Sequence, residues 1–221
     1  MQEINEIISS IRALPGEWHK SGSVPHEVLT AIARHSAGRV IKRSIETGSG
    51  KTTLLNSHLS ESHTVFALDF GGSITAVLNS PLLKPGVVQY VEGPTQLTMP
   101  KFSFEGSYQM ALLDGPHAYP FPELEYYYIY PHLEENGLLI IDDIHIPTIR
   151  RMFDFLKEDE MFKLVDVVWD TAFFVRTNAK TFDPLGDSWS EQAFNKRRYP
   201  VESWTRKLRR IARAFKHGIK G

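Results

Sequence analysis

The sequence contains no cysteine, which excludes disulfides and thiolate metal sites. It contains no apolar run of about 18 residues, the length a membrane-crossing helix needs, and no signal-peptide pattern. The expectation is a soluble, cytoplasmic protein. Internal repeats and low-complexity linkers are missing too. Net charge is almost absent, since 25 basic residues face 26 acidic ones. That balance is uneven along the chain. Residues 195–221 hold ten Lys/Arg and one acid, Glu202, for a net of +9, so the remainder carries −10 against the total of −1. At 221 residues the chain fits one domain of α/β size with a substantial core.

What is present is organised around residues 39–53, which read as a strand, a Gly-rich turn and the first turn of a helix. Val40, Ile41 and Ile45 supply β-branched residues to the strand. Gly48 and Gly50 allow a sharp turn and close approach of a ligand to the backbone. Ser49, Thr52 and Thr53 suit a helix start, where free N–H groups favour an anionic ligand. Several readings fit. Gly50-Lys51-Thr52 matches the end of a phosphate-binding loop, as in a kinase or ATPase, but that frame begins at Ile45 instead of glycine and places Glu46 in the cradle. A dinucleotide turn fits Gly48 and Gly50, but Thr53 stands where its third glycine belongs. The third reading is a carboxylate followed by G-x-G, Glu46-x-Gly48-x-Gly50, which suits a ligand carrying an ammonium and hydroxyls. An ordinary Gly-containing βα turn is the plain alternative.

Along the chain, Ile4, Ile7, Ile8, Ile11 and Leu14 mark one face of a helix stopped by Pro15-Gly16. A second helix opens at Ser23-Val24-Pro25 and ends at Gly38. This pair, residues 1–38, forms either a lid over a ligand or an outer layer. After the turn come a helix at Lys51–Leu59, a strand over 64–68 ending at Asp69, a short helix near Ser73–Leu78, and a strand over 87–91 closed by Glu92-Gly93. Asp69, at the end of a second strand, is placed to accept hydrogen bonds from ribose hydroxyls, or simply forms the turn before Gly71-Gly72. A fourth strand, Tyr108–Leu113, ends at Asp114-Gly115-Pro116-His117. A helix from Pro122 follows, and Asn136-Gly137 turns the chain into strand Leu138–Ile141, ending at Asp142-Asp143-Ile144-His145. After a helix from Pro147 to about Lys157, residues 162–169 and 172–177 read as two strands joined only by Asp170-Thr171, hence an antiparallel hairpin.

Carboxylates thus close four strands, at Glu46, Asp69, Asp114 and Asp142-Asp143, and such ends converge on the ligand-binding edge of a parallel sheet. Five βα units ending in a hairpin, with Asp114-Gly115-Pro116-His117-Ala118-Tyr119 and the run from Pro131 to Asp143, resemble class I S-adenosylmethionine-dependent methyltransferases. Those two runs look like the small-molecule and sugar O-methyltransferases with a D-G-x-H motif. The resemblance covers about residues 39–177 and implies a Rossmann-like α/β fold. Its sheet would be seven-stranded and mostly parallel, with a C-terminal antiparallel hairpin and helices on both faces. It implies cofactor contacts at Glu46, Gly48, Ser49, Gly50 and Thr53 in the turn, Asp69 at the ribose, Glu92-Gly93 at the adenine, and Asp114 beside the methionine end. It implies a divalent cation such as Mg²⁺ held by Asp114, Asp142 and Asp143, and a base at His117 or His145. The partner would be a small-molecule or saccharide acceptor. A non-catalytic protein on the same fold is the other alternative.

Residues 178–221 read as a basic extension. Within it, Trp204, Leu208, Ile211, Ala212 and Phe215 among six basic residues make an amphipathic helix from Tyr199 onward. It would dock on the domain or touch an anionic membrane surface. Nucleic acid is not favoured, since no interleaved aromatic platform accompanies the charge.

Overall fold

The computed structural model describes residues 2–15 and 24–199. The expected basic helix over 200–221 lies outside the described residues. Seven strands form one sheet: β1 (Ile41–Thr47), β2 (Ser60–Ala67), β3 (Val88–Glu92), β4 (Tyr108–Leu113), β5 (Leu133–Ile141), β6 (Phe162–Val168) and β7 (Thr171–Arg176). Their order is β3-β2-β1-β4-β5-β7-β6. The first five are parallel, and β7 runs antiparallel between β5 and β6. The helices are α1 (Gln2–Arg12), α2 (His26–Ser36), α3 (Lys51–Leu59), α4 (Ser73–Leu78), α5 (Thr95–Thr98), α6 (Phe121–Ile129), α7 (Pro147–Glu158) and α8 (Ala193–Arg198).

Helices on both faces require strands that are apolar on both sides, and the central strands meet this by alternation. Met110 and Leu112 of β4, Leu138 and Ile140 of β5, and Phe173 of β7 pack with Leu54 and Leu55 of α3 and with Ile11, Leu29 and Ile32 of the N-terminal helices. The intervening Ala111, Leu113, Leu139, Ile141 and Phe174 face the opposite way, against Ile129, Ile149, Phe153 and Leu156 of α6 and α7. The N-terminal helices therefore form a layer over one face of the sheet. In the C-terminal region, Arg198 of α8 makes two 2.7 Å bonds to Glu158 of α7.

Two strands are longer than the apolar pattern implies. β2 begins at Ser60 because its polar start is buried and bonded: Ser44 Oγ lies 2.6 Å from Ser60 Oγ and 2.7 Å from His63 Nδ1. β5 begins at Leu133, so Asn136-Gly137 is not a turn before the strand. It is a bulge within it, where the register slips between the Tyr108–Leu133 and Met110–Leu138 pairs and Asn136 takes φ 64°.

Candidate active site

The strand order changes direction beside β1, between β2 and β4, and the carboxyl ends there open a crevice. One further ladder hydrogen bond ties each strand-end loop to its neighbour. Gly48 N donates to Phe66 O (2.9 Å), Gly93 N to Ala67 O (2.9 Å), Asp114 N to Thr47 O (3.2 Å), Asp142 N to Leu113 O (3.0 Å) and Ile144 N to Asp170 O (2.9 Å). The loops are thereby fixed as continuations of the sheet. They enclose a cavity of about 750 Å³.

Of the sequence-derived residues, Gly48, Ser49, Gly93, Asp114, His117, Asp142 and Asp143 line this cavity. Gly48 is required sterically. Its φ is +88°, and a Cβ there would stand 2.3 Å from the carbonyl oxygen of Asp114. Glycine thus lets the turns after β1 and β4 meet.

Glu46, Gly50, Thr53, Asp69 and Glu92 do not line the cavity. Glu46 is buried beneath the turn. One carboxylate oxygen accepts from Thr52 Oγ1 and the other is 2.7 Å from His63 Nε2. Thr52 is therefore engaged internally, and Lys51 does not line the cavity, so Gly50-Lys51-Thr52 does not form a phosphate cradle. Gly50, at φ 177°, is simply extended. Thr53 is fully buried, and its hydroxyl accepts from Gly50 N at 3.0 Å, closing the turn. Asp69 caps α4. Gly71 and Gly72, both left-handed, fold the chain back so that Ile74 N, Thr75 N and Thr75 Oγ1 donate to its carboxylate at 2.8, 3.3 and 2.7 Å. The Thr75 hydroxyl holds the Asp69 carboxyl below its ordinary range. Glu92 is exposed.

Of the three acids expected to hold a metal, Asp114 and Asp143 cluster with His117, and Asp142 is engaged elsewhere. Asp142 accepts from Thr171 Oγ1, while Asp114, His117 and Asp143 bring one donor atom each within 4.8 Å of one another. His117 Nε2 lies 3.2 Å from Asp143 Oδ2 and 3.6 Å from Asp114 Oδ1. It is buried and aligned for a hydrogen bond with neither. Burial, reinforced by Asp142 and Asp143, pushes the Asp114 carboxyl up to about 7, although His117 opposes the shift. The Asp114 carboxylate in turn raises the His117 imidazole. His145 stands at the edge of this group, its Nδ1 3.6 Å from Asp143 Oδ1 and 3.4 Å from Asp170 Oδ2.

Other wall residues carry no sequence motif. Gln96, one turn beyond Gly93, presents a buried oxygen without a hydrogen-bond partner among the described residues, and the neighbouring Thr95 hydroxyl acts on Glu125. Phe66, Leu68 and Phe70 line the side that follows β2, and Trp169, Asp170 and Thr171 the side of the β6–β7 turn. Beneath the floor lies Glu125 of α6, 1% exposed. It accepts from Thr47 Oγ1 at 2.8 Å, and that same hydroxyl accepts from Asp114 N at 3.0 Å. A Cβ on Gly115 would meet Glu125 Oε1 at 2.1 Å. Burial pushes the Glu125 carboxyl up to about 7. Its signal in the sequence is an acid on the apolar stripe Pro122, Glu125, Ile129 of a helix.

Comparison with known proteins agrees with this geometry. Residues 45–144 match the family model described as "Methyltransferase domain". Among solved structures, the fold is similar to a candidate caffeoyl-CoA O-methyltransferase from Staphylococcus aureus (TM-score 0.61, 15% identity, covering 79% of this chain and 94% of that one). It is also similar to the O-methyltransferase TomG from Streptomyces achromogenes, involved in tomaymycin synthesis and in complex with S-adenosylmethionine (TM-score 0.57, 11% identity, 80% and 91%). A third is an O-methyltransferase from Bacillus cereus in complex with S-adenosylhomocysteine (TM-score 0.55, 11% identity, 80% and 91%). No curated protein matches the sequence. Residues 45–144 are thus similar to a methyltransferase domain, and the seven-stranded sheet has the fold of these solved O-methyltransferases.

Proposed function

We propose that the protein is an S-adenosylmethionine-dependent methyltransferase that methylates a hydroxyl of a small molecule or saccharide. The observation that carries this reading is the cavity at the switch point of the sheet. It has Gly48, whose lack of a Cβ lets the turns after β1 and β4 meet, an acid at Asp114, and buried oxygens on Thr95 and Gln96. Those oxygens suit the amino and hydroxyl groups of a nucleoside, and the acid suits an ammonium or sulfonium. The cofactor, when bound, supplies an electrophilic methyl group. Two of the solved structures of this fold carry it or its demethylated product.

The residues of the chain supply position and proton removal. Gly48, Ser49 and Asp114 hold the methionine end, and Gly93, Thr95 and Gln96 border the base. Asp114 and His117 form the acid–base pair at the reacting end. An imidazole next to a carboxylate accepts the acceptor's hydroxyl proton, and Asp143 steadies the ring that receives it. Pre-arranging these groups is the main catalytic contribution in an in-line transfer.

A second reading rests on one observation, the buried, unpartnered Nε2 of His117 between two carboxylates. Asp114, His117 and Asp143 fit a divalent cation. Such an ion lowers the pKa of a hydroxyl bound to it. The imidazole widens the choice from Mg²⁺ towards Mn²⁺ or Zn²⁺. His145 would then serve as the base.

Calorimetry with S-adenosylhomocysteine and with ATP–Mg²⁺ tests the first reading: the former binds and the latter does not. ATP binding without S-adenosylhomocysteine binding would reject it. Melting in EDTA, Mg²⁺ and Mn²⁺ tests the second. An ion that binds the folded form raises the melting temperature, and Asp143→Asn abolishes the rise. An unchanged parent at millimolar ion removes the metal.

A further inference from the structure

The acceptor side of the cavity is formed by a turn that the cofactor reading leaves unused. Trp169 and Asp170 join β6 to β7, and both line the cavity. Trp169 adopts φ 53°. Tight hairpin turns place Gly, Asn or Asp at such left-handed positions, and a bulky aromatic there is unusual. Trp169 is also 66% exposed, although the chain has ample core in which to bury an indole.

The turn is nonetheless anchored. Ile144 N donates to Asp170 O at 2.9 Å, Thr171 Oγ1 donates to Asp142, and Val168 pairs with Thr171 across the hairpin. The first two anchors belong to the loop that carries Asp142 and Asp143. The turn that carries the indole is thus tied to the acidic loop, and a rigid aromatic loses little entropy when a ligand stacks on it.

Charge narrows what can stack there. Among the described residues, the cavity wall carries four carboxylates, on Asp114, Asp142, Asp143 and Asp170, one imidazole, and no lysine or arginine. Asp170 is 55% exposed at the side chain and stands next to the indole in the chain. A carboxylate, phosphate or thioester-linked nucleotide on the acceptor would meet this acidic wall without a counter-ion. A ring bearing an ammonium would gain from both Asp170 and the face of the indole.

We propose that Trp169 and Asp170 form the acceptor platform, and that it takes a hydroxylated ring carrying a neutral or cationic substituent and rejects its anionic counterpart. This rests on the methyltransferase reading of the same cavity. Trp169 supplies the stacking face, and Asp170 sets the charge preference.

The test uses the full chain saturated with S-adenosylhomocysteine and three phenols that differ only in their side chain: tyramine, 4-ethylphenol and 4-hydroxyphenylacetate. Dissociation constants come from calorimetry, with Trp fluorescence quenching as a second readout. Tyramine and 4-ethylphenol bind, and 4-hydroxyphenylacetate is at least about tenfold weaker than tyramine, the scale of one desolvated charge contact. Trp169→Leu weakens tyramine and 4-ethylphenol by about tenfold and removes the quenching, while Trp169→Phe keeps part of both. Asp170→Asn narrows the gap between tyramine and 4-hydroxyphenylacetate and leaves 4-ethylphenol unchanged. Melting curves confirm that each variant is folded. The proposal is overturned if the anionic phenol binds as well as the cationic one, if Trp169→Leu changes nothing, or if none of the three binds while S-adenosylhomocysteine does. Failure of S-adenosylhomocysteine itself to bind strikes the cofactor reading, and the phenol series is then read on the ligand-free protein.

Discussion

Glu125 offers a quantitative test of how the site is built. Its carboxyl is 1% exposed, and burial lifts it from an ordinary 4.5 to about 7. A raised carboxyl holds its proton more tightly in the folded chain than in the unfolded one. Its contribution is therefore fully present below pH 4.5, declines as the pH rises towards 7, and is lost above that. At about 1.4 kcal/mol per unit, a gap from 4.5 to about 7 is worth about 3 kcal/mol. Glu125→Gln keeps an oxygen to accept from Thr47 but cannot ionise. It should match the parent near pH 4.5 and exceed it by up to about 3 kcal/mol at pH 8. At roughly 2–4 °C per kcal/mol for a chain of this size, that is a rise of about 6–12 °C in melting temperature. Urea unfolding of the ligand-free protein at half-unit steps from pH 4.5 to 8.5 measures the divergence. A constant difference between variant and parent across that range would refute the reasoning.

Three further outcomes follow from the packing. Gly48→Ala should cost about 2–4 kcal/mol, because a left-handed backbone and a 2.3 Å approach to the Asp114 carbonyl must both be relieved; urea unfolding reads it. Glu46→Ala should cost about 3 kcal/mol by leaving His63 and the Thr52 hydroxyl buried without their acceptor. Glu46→Gln should change S-adenosylhomocysteine affinity by less than about twofold, since Glu46 does not line the cavity; a tenfold loss by calorimetry would place its charge at the cofactor.

The fold was readable where apolar residues determine it. Runs such as Met110–Leu113 and Leu138–Ile141 are apolar on both faces, so they fix the central strands without reference to distant parts of the chain. The short interval read at Asp170-Thr171 implied an antiparallel end, and the sheet closes that way with the turn one residue earlier, at Trp169-Asp170. The acidic strand ends Asp114 and Asp142-Asp143 lie at the edge of the sheet where the cavity opens. What they could not convey is the direction in which each carboxylate points.

That direction depends on polar partners far away in sequence. Glu46 and Asp114 end adjacent parallel strands, yet one is turned to His63 on β2 and the other faces the cavity. Nothing in the local sequence separates them. The separation arises because His63 and Ser44 face each other across the β1–β2 pair and create a buried polar position that the Glu46 carboxylate fills. Likewise Asp142 and Asp143 are neighbours in sequence, and Thr171 decides between them by engaging the first. Asp143, at φ 56°, is left to join Asp114 and His117. The strand ends therefore contain two sorts of carboxylate, those engaged by hydroxyl donors that hold the loops in place and those gathered around His117 in the cavity. Replacing Thr171 with Val would test this division. With Asp142 released, its carboxylate becomes available to a cation beside Asp143, so on the metal reading the Mn²⁺-dependent rise in melting temperature should grow, and an unchanged rise would count against this division.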